Sequence, residues 1–320
     1  LAAALFDVED PACVVFTSSA THGLNIAIKT LVKPGCRVVI SGYEHNAVTR
    51  PLHGIPNVEL TVIDAPLFRP ESMLAEFGQA LDAGADAVIC THVSNVFGYR
   101  LPAEGIAALC RRRGVPFVLD ASQSAGMLPV SMRELGAAFI AMPGHKGLLG
   151  PQGTGLLLCG QPGKPLLYGG TGSQSRSHEM PQDLPERLEP GTLNVPGAAG
   201  LAAGISIVER KGTDAIFRRE HTQAEKLSRD LRNLGFRVFA GEHQAGTVSF
   251  QGKGDCEEIA AYLGKRGIAV RAGLHCAPLA HESAGTLDRG TVRVSFGHDA
   301  SPAQTRALLE ALGEWKMRKG

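Results

Sequence analysis

The chain has 320 residues, of which 44% are hydrophobic and 20% are charged, and its formal net charge is +1. The length allows a large core and two domains, while a charge balance whose longest basic run is Arg111-Arg112-Arg113 argues against nucleic acid or an acidic membrane as a partner. No apolar stretch reaches the roughly 18 residues that a membrane span needs, no cleavable signal is visible, and the seven scattered cysteines indicate reduced thiols in a cytoplasmic protein.

Helix-like and strand-like segments alternate from the start of the chain. It opens at Leu1 within a helix-like LAAALF, so we expect that an N-terminal segment is missing from this sequence. A helix begins near Thr21, its predicted cap, and buries Leu24, Ile28 and Leu31. Two further helices are predicted in PESMLAEFGQALDAG and PAEGIAALCRRRG, among strands in ACVVFTSS, CRVVIS, ELTVID, DAVICTHV, PFVLDAS and AFIAM. This alternation predicts an α/β fold with a mostly parallel sheet, covered on both faces, that binds ligands at the carboxyl ends of its strands.

The pattern changes after about residue 200. One long polar helix is predicted in IVERKGTDAIFRREHTQAEKLSRDLRNLG, followed by strands in RVFAG, GTVSFQ, IAVRAG and TVRVSFG and a helix in CEEIAAYLGKRG. The last helix begins at Ser301-Pro302 and buries Leu308, Leu312 and Trp315. We therefore predict a large domain over residues 1–203 and a small α+β domain over residues 204–320.

The loop TSSATHGLN joins the first predicted strand to a helix N-terminus. Free backbone N–H groups and the positive end of a helix dipole suit a phosphate, to which Thr21 can add a hydroxyl. The alternative is an ordinary helix cap.

Polar residues also follow other predicted strands. Asp120 ends the strand of FVLDASQSAG, where a buried carboxylate needs a partner such as a cationic ligand nitrogen, and Gln123 could reach the same ligand. A capping aspartate is the alternative. His45 and Asn95 each follow another strand, where a structural histidine and a loop-forming asparagine are the alternatives.

Lys146 lies in the segment FIAMPGHKGLLGPQGTG, among Gly147, Gly150, Gly153 and Gly155. Glycine is kept where backbone adopts unusual angles or approaches something closely, so these residues indicate a lysine that is held in place. An exposed lysine on a tight loop is the alternative.

Two further residues in the second half of the chain suggest chemistry. Cys276 lies outside an apolar run and next to His275, which could activate a thiolate. Arg293 lies in a strand-like segment, where its guanidinium would match a carboxylate, with a structural salt bridge as the alternative.

Together these residues describe one site with a phosphate loop, a buried acid, a glycine-flanked lysine, a thiol and a carboxylate clamp. The set fits pyridoxal 5'-phosphate, with Lys146 as the nucleophile that forms a Schiff base. A metal site fits poorly, and so does a Walker phosphate loop, because GHKGLLGPQGTG lacks the GK[ST] order.

With these motifs in order, the chain resembles the class V aminotransferases, and within them the cysteine desulfurase and selenocysteine lyase branch. The resemblance runs from FTSSATHGLNIAIK through GHKGLLGPQGTG and EPGTLNVPG to RAGLHCAPL and TVRVSFG. It implies the type I pyridoxal-phosphate fold, whose large domain binds the cofactor, and a homodimer with active sites near the subunit boundary.

The resemblance also implies roles for single residues around the cofactor ring and the substrate. Lys146 would hold the cofactor aldehyde and Asp120 would pair with the pyridinium nitrogen. His45 would stack on the ring, and Gln123 would bond the ring hydroxyl. The substrate carboxylate would be bound by Asn95 and Arg293, and Cys276 would attack the substrate sulfur.

At the phosphate, the resemblance implies contacts from the Ala20 backbone, Thr21, His145 and, from the partner subunit, Thr192. This chain departs from the family pattern at Pro143, where the family often has a serine that binds phosphate. Proline offers neither a hydroxyl nor an N–H, so we expect Ser19 or a water to replace that contact.

The activity implied by the resemblance is the conversion of L-cysteine to L-alanine, with a persulfide formed on Cys276. The segment from Cys276 to Arg293 is compact, which favours a short ordered loop and a sulfur-acceptor protein as partner. A selenocysteine lyase acting on L-selenocysteine, a related pyridoxal-phosphate lyase or aminotransferase with Cys276 as a bystander, and a non-catalytic scaffold remain alternatives.

Overall fold

The computed structural model describes residues 1–319, which form two sheets surrounded by helices. The first part of the chain contains the strands β1 (Val14–Thr17), β2 (Arg37–Ser41), β3 (Glu59–Ile63), β4 (Ala87–Thr91), β5 (Phe117–Asp120), β6 (Phe139–Pro143) and β7 (Gly155–Cys159). Its helices are α1 (Ala2–Leu5), α2 (Ala20–Leu31), α3 (Asn46–His53), α4 (Pro70–Asp82), α5 (Ala103–Arg113) and α6 (Met132–Leu135).

The second part contains α7 (Val195–Lys211), α8 (Thr213–Asn233), β8 (Arg237–Phe239), β9 (Thr247–Gln251), α9 (Cys256–Gly264), β10 (Arg271–Gly273), α10 (Pro278–Ser283), β11 (Thr291–Ser295) and α11 (Pro302–Lys319). Short 3-10 helices span Pro11–Cys13 and Glu186–Leu188. Within residues 1–319, no helix combines the length and the apolar character that crossing a membrane requires.

The large sheet has the strand order β1-β7-β6-β5-β4-β2-β3, and only β7 runs against the other six strands. The predicted α/β fold with a mostly parallel sheet is therefore confirmed. Neighbouring residues of a strand belong to opposite apolar layers: Val88 packs into one core cluster and Ile89 into the other. Burial on both faces explains why these strands are continuous apolar runs.

Three local expectations were wrong. Ser19, and not Thr21, caps α2, because the Ser19 hydroxyl accepts a hydrogen bond from the N–H of His22 at 3.2 Å. The single long helix predicted after residue 200 is two helices, since Gly212 adopts φ 78° and ψ 131° between α7 and α8. The strand β7 was not predicted. It follows β6 without a helix between them and pairs antiparallel with β6 and with the edge strand β1, whereas a βα alternation predicts only parallel strands separated by helices.

The small sheet has the antiparallel order β10-β11-β9-β8. Its core includes Leu308, Leu312 and Trp315 of α11, which are buried as predicted. The proposed boundary between residues 203 and 204 lies inside α7, and it stays a prediction.

Candidate active site

A cavity of about 260 Å³ lies at the edge of the large sheet where the parallel strands end. The ends of β1, β2, β4, β5 and β6 meet there, as expected for parallel strands. The predicted site residues found in its wall are Ala20, Thr21, His45, Asn95, Asp120, Gln123, His145 and Lys146. The fold thus brings together residues that are up to 126 positions apart in the sequence, from Ala20 to Lys146.

The three other predicted residues are not in the wall of this cavity. Cys276 lines an adjoining opening of about 490 Å³, which shares Thr21 and His45 with the first cavity. Thr192 lines a separate cavity of about 240 Å³. Arg293 contacts the backbone of Asn95, a residue of the cavity wall, without lining the cavity itself. Thr192 is therefore not brought to Lys146 within one chain.

Asp120 is the buried acid of the site, with 3% of its surface exposed. Its Oδ1 accepts a hydrogen bond from the N–H of Ser122 at 2.9 Å. Within residues 1–319, no side-chain cation forms an ion pair with it. A carboxylate in this setting is suited to a cationic ligand nitrogen.

The amine of Lys146 is easier to deprotonate than an ordinary lysine. Burial lowers its pKa, the positive charges of Arg293 and Arg271 lower it further, and the negative charge of Asp120 opposes them. A larger fraction of neutral amine makes Lys146 a better nucleophile and base.

The glycines beside Lys146 serve close packing of backbone against backbone. A β-carbon at Gly147 would overlap the carbonyl oxygen of Ala125, and one at Gly126 would overlap the carbonyl of Gly147. Gly153, by contrast, has open space around it and supplies a positive φ of 76°. The approach inferred from the sequence is therefore between two loops of the protein, and it fixes the turn that carries Lys146.

His45 is held in one tautomer at the start of α3. Its Nδ1 accepts a hydrogen bond from the N–H of Ala47 at 3.0 Å, so the proton of the neutral ring lies on Nε2. Burial lowers the pKa of His45, against the raising effect of Asp120. The neutral ring thus has a single free polar atom, a donor.

The start of α2 provides the predicted phosphate contacts. As the first helical residues, Ala20 and Thr21 have N–H groups without an intrahelical acceptor. Ser19 also lines the cavity, and its hydroxyl still has a hydrogen to donate. Burial and the charge of Lys146 lower the pKa of His145, which favours its neutral form. Pro143 lies in the same wall without a donor, so Ser19 is well placed to replace the missing contact.

Arg293 and Asn95 form a connected pair. The Nη1 of Arg293 donates to the carbonyl oxygen of Asn95 at 2.9 Å, and the side-chain amide of Asn95 donates to the carbonyl oxygen of His275 at 2.8 Å. The Nε of Arg293 is buried without a hydrogen-bond partner, and no carboxylate within residues 1–319 pairs with this guanidinium. An unused donor on a fork-shaped cation suits a ligand carboxylate.

The loop that carries Cys276 is built differently from the expectation. The ring of His275 is buried and lies 3.1 Å from the Thr291 hydroxyl through Nε2, so it is not a partner of the thiol. The neighbour of the thiol is Arg271, whose Nη2 lies 3.6 Å from the Cys276 sulfur. Arg271 also lines the cavity that contains Lys146. Arg271 was not identified as a site residue from the sequence. It is paired with Arg293 across β10 and β11, and strand pairing cannot be deduced from spacing along the chain.

Two buried histidines support this loop. His275 stacks on His281 of α10 with ring centroids 5.6 Å apart, and both are almost fully buried. Burial is the main cause that lowers the pKa of His275 to about 3 and that of His281 to about 4. In the unfolded chain both would take up a proton near pH 6.5.

We expect acid to destabilise the fold through these histidines. Below pH 6.5 the unfolded chain binds more protons than the folded one, so the free energy of unfolding decreases by roughly 2 kcal/mol per histidine between pH 7 and pH 5. His281→Phe keeps a stacked ring and should remove about one histidine's share of that loss in urea unfolding. The exposed His178→Phe is the control. An unchanged pH dependence in His281→Phe would contradict the expectation.

The family of the chain follows from comparison with known proteins. A family model described as aminotransferase class-V matches residues 1–308, so the chain belongs to the class V aminotransferases, as its motifs predicted. It is 31% identical over 319 residues to a probable cysteine desulfurase of Pyrococcus abyssi, and the aligned region covers 94% of this chain and 78% of that protein.

Solved structures have the same fold. The apo cysteine desulfurase from Thermococcus onnurineus has a TM-score of 0.92 and 31% identity, covering 99% of this chain and 82% of that one. A mutant of the protein C-DES has a TM-score of 0.84 and 24% identity, covering 98% of this chain and 83% of that one. That structure holds glycine covalently linked to its pyridoxal-phosphate cofactor.

Proposed function

We propose that this chain is a pyridoxal-phosphate-dependent cysteine desulfurase, which converts L-cysteine to L-alanine and takes the sulfur onto Cys276. The observation that carries the proposal is the position of the exposed thiol. Cys276 opens onto a space that shares His45 and Thr21 with the cavity of Lys146. The relatives named above support L-cysteine as the substrate.

The residues present fit the cofactor. Asp120 is a buried carboxylate that forms no ion pair within the described part of the chain, so it suits a pyridinium nitrogen, and the lowered pKa of Lys146 suits attack on an aldehyde. The unpaired N–H groups at the start of α2 suit a phosphate. Held in this cavity, with the substrate amine in place of Lys146, pyridoxal phosphate would supply an electron sink for the negative charge that develops at the substrate Cα.

The protein residues would perform the remaining work. Arg293 would bind the substrate carboxylate with its free donors, and the Lys146 amine would take the Cα proton. The Cys276 thiolate would attack the substrate sulfur, so that a sulfur–sulfur bond forms as the Cβ–sulfur bond breaks. His45, whose proton lies on Nε2, would donate a proton to the substrate Cβ as the sulfur leaves it. The sum is L-cysteine and enzyme thiol giving L-alanine and enzyme persulfide.

The test is incubation of the purified protein, loaded with pyridoxal phosphate, with L-cysteine. We expect one equivalent of L-alanine per subunit in a first turnover, a matching persulfide on Cys276, and continued turnover with sulfide release when a reductant is added. L-Serine, which lacks the sulfur, is the control. Alanine formed without a persulfide would favour a lyase or aminotransferase in which Cys276 is a bystander.

The homodimer is part of the same proposal, because Thr192 lies outside the Lys146 cavity of its own chain. We expect Thr192 of one protomer to contact the phosphate in the other. Thr192→Val should weaken pyridoxal-phosphate binding by about tenfold, the loss of one hydrogen bond to a charged group. Thr30→Val, remote from the cavity, is the control.

Mixed dimers distinguish the two arrangements. If Thr192 acts across the boundary, a dimer of one Lys146→Ala chain and one Thr192→Val chain retains one intact site, with half of the activity and normal cofactor affinity. If Thr192 acts in its own chain, no intact site remains. A monomeric holoenzyme in light scattering would contradict the prediction.

A cytoplasmic location is also proposed. Within residues 1–319, all seven cysteines are free, which fits a reducing compartment.

A further inference from the structure

The opening that contains Cys276 continues as a groove between α2 and α3. One wall is the α2 face of Thr21, Asn25 and Lys29, which repeats every four residues along the helix. The other wall runs along α3 from His45 through Arg50 to Gly54. Cys276 lies at the end where both helices begin, because its carbonyl oxygen accepts a hydrogen bond from the N–H of Asn46 at 2.8 Å.

The dimensions of this groove match a short stretch of extended chain. Thr21 and Lys29 are eight residues apart, which is about 12 Å along a helix. An extended peptide covers that distance in about four residues, at roughly 3.3 Å per residue. An exposed thiol at one end of such a groove is accessible to a cysteine carried by an extended segment.

The charge of the groove has one sign. Lys29 and Arg50 are exposed and form no ion pair with any residue of 1–319, and neither aspartate nor glutamate lines the groove. Arg271 adds a third positive charge beside the sulfur of Cys276. Unpaired cations of this kind attract an anionic partner and speed its association.

We propose that this groove docks the sulfur acceptor, and that the acceptor is an extended protein segment with acidic residues two to four positions from its cysteine. The amide oxygen of Asn25 offers a polar contact to the segment, and Lys29 and Arg50 bind the acidic side chains further along the groove. The acceptor thiolate attacks the outer sulfur of the Cys276 persulfide. The sulfur–sulfur bond to Cys276 breaks, Cys276 leaves as a thiolate, and the acceptor carries the persulfide. The inference rests on the proposed desulfurase function.

Seven-residue peptides with a central cysteine flanked by glutamate, glutamine or lysine test the transfer step. The protein, loaded with pyridoxal phosphate, is treated with L-cysteine, desalted and mixed with each peptide, and transfer is followed by mass spectrometry. Each rate is divided by the rate of the same peptide with a small disulfide, which removes differences in thiol reactivity. We expect the glutamate peptide to exceed the glutamine peptide by at least tenfold at low salt, with most of the advantage lost in about 0.5 M salt.

Charge reversal locates the effect. Lys29→Glu with Arg50→Glu should reverse the peptide order, so that the lysine peptide becomes the fastest. Lys33→Glu with Lys226→Glu makes the same charge change on exposed residues outside the groove and should keep the original order. The peptides are compared within each variant, so any effect that the change at Arg50 has on His45, and thus on the rate with every peptide, cancels in the ratio of their rates.

Binding of the same peptides with serine in place of cysteine needs no persulfide, so it separates this inference from the proposed function. We expect the glutamate peptide to bind at least tenfold more tightly than the glutamine peptide. Tight, charge-dependent binding without persulfide formation would support the groove and contradict the desulfurase. Transfer and binding that do not depend on peptide charge, or a groove covered by a second copy and closed to every peptide, would overturn the inference.

Discussion

Lys146→Ala is expected to lower L-alanine formation by at least about 10⁴-fold, because one change removes both the cofactor attachment and the base that takes the Cα proton. The lowered pKa of this amine and its position in the cavity with Asp120 support that double role. Alanine produced per subunit in a first turnover is the measurement. Borohydride reduction should also fail to fix the cofactor covalently on the variant.

Lys164→Ala is the matched control, since Lys164 is an exposed lysine outside the cavity. It should keep wild-type activity and a cofactor that borohydride fixes to the peptide containing Lys146. Covalent fixation that persists in Lys146→Ala would place the attachment on another lysine.

Cys276→Ser should lower the rate of alanine formation by at least about 100-fold, equivalent to roughly 2.7 kcal/mol of barrier. A hydroxyl is a poor substitute for a thiolate as a nucleophile toward sulfur. Lys146, Asp120 and Arg293 are unchanged in this variant, so L-cysteine should still bind and still exchange its Cα proton with solvent. Deuterium incorporation into recovered L-cysteine measures the retained step.

The control for this variant is Cys36→Ser, because Cys36 is a partly exposed cysteine just before β2, at the opposite end of that strand from His45 and outside both cavities. It should keep both alanine formation and the reductant-sensitive persulfide. Near wild-type alanine formation by Cys276→Ser would show that Cys276 does not accept the sulfur, and a lyase or aminotransferase would become the better description.

The sequence by itself was sufficient for the fold class and for most of the cavity. Strands buried on both faces are continuous apolar runs, so the βα alternation was visible without any long-range information. Parallel strands end at one edge, and residues placed directly after them, such as His45, Asp120 and Lys146, therefore had to lie close together.

The tertiary structure alone decided which way side chains point and which distant segments meet. His275 and Arg271 both precede Cys276 in the sequence, and His275 is its direct neighbour. Yet the ring of His275 is buried against Thr291, while the guanidinium of Arg271 faces the sulfur. Strand pairing places Arg271 next to Arg293, and no spacing along the chain indicates that register. Thr192 likewise lies away from the Lys146 cavity although its motif matches the family. Local patterns determine elements and their ends, whereas side-chain direction and contacts between elements depend on packing across the whole fold.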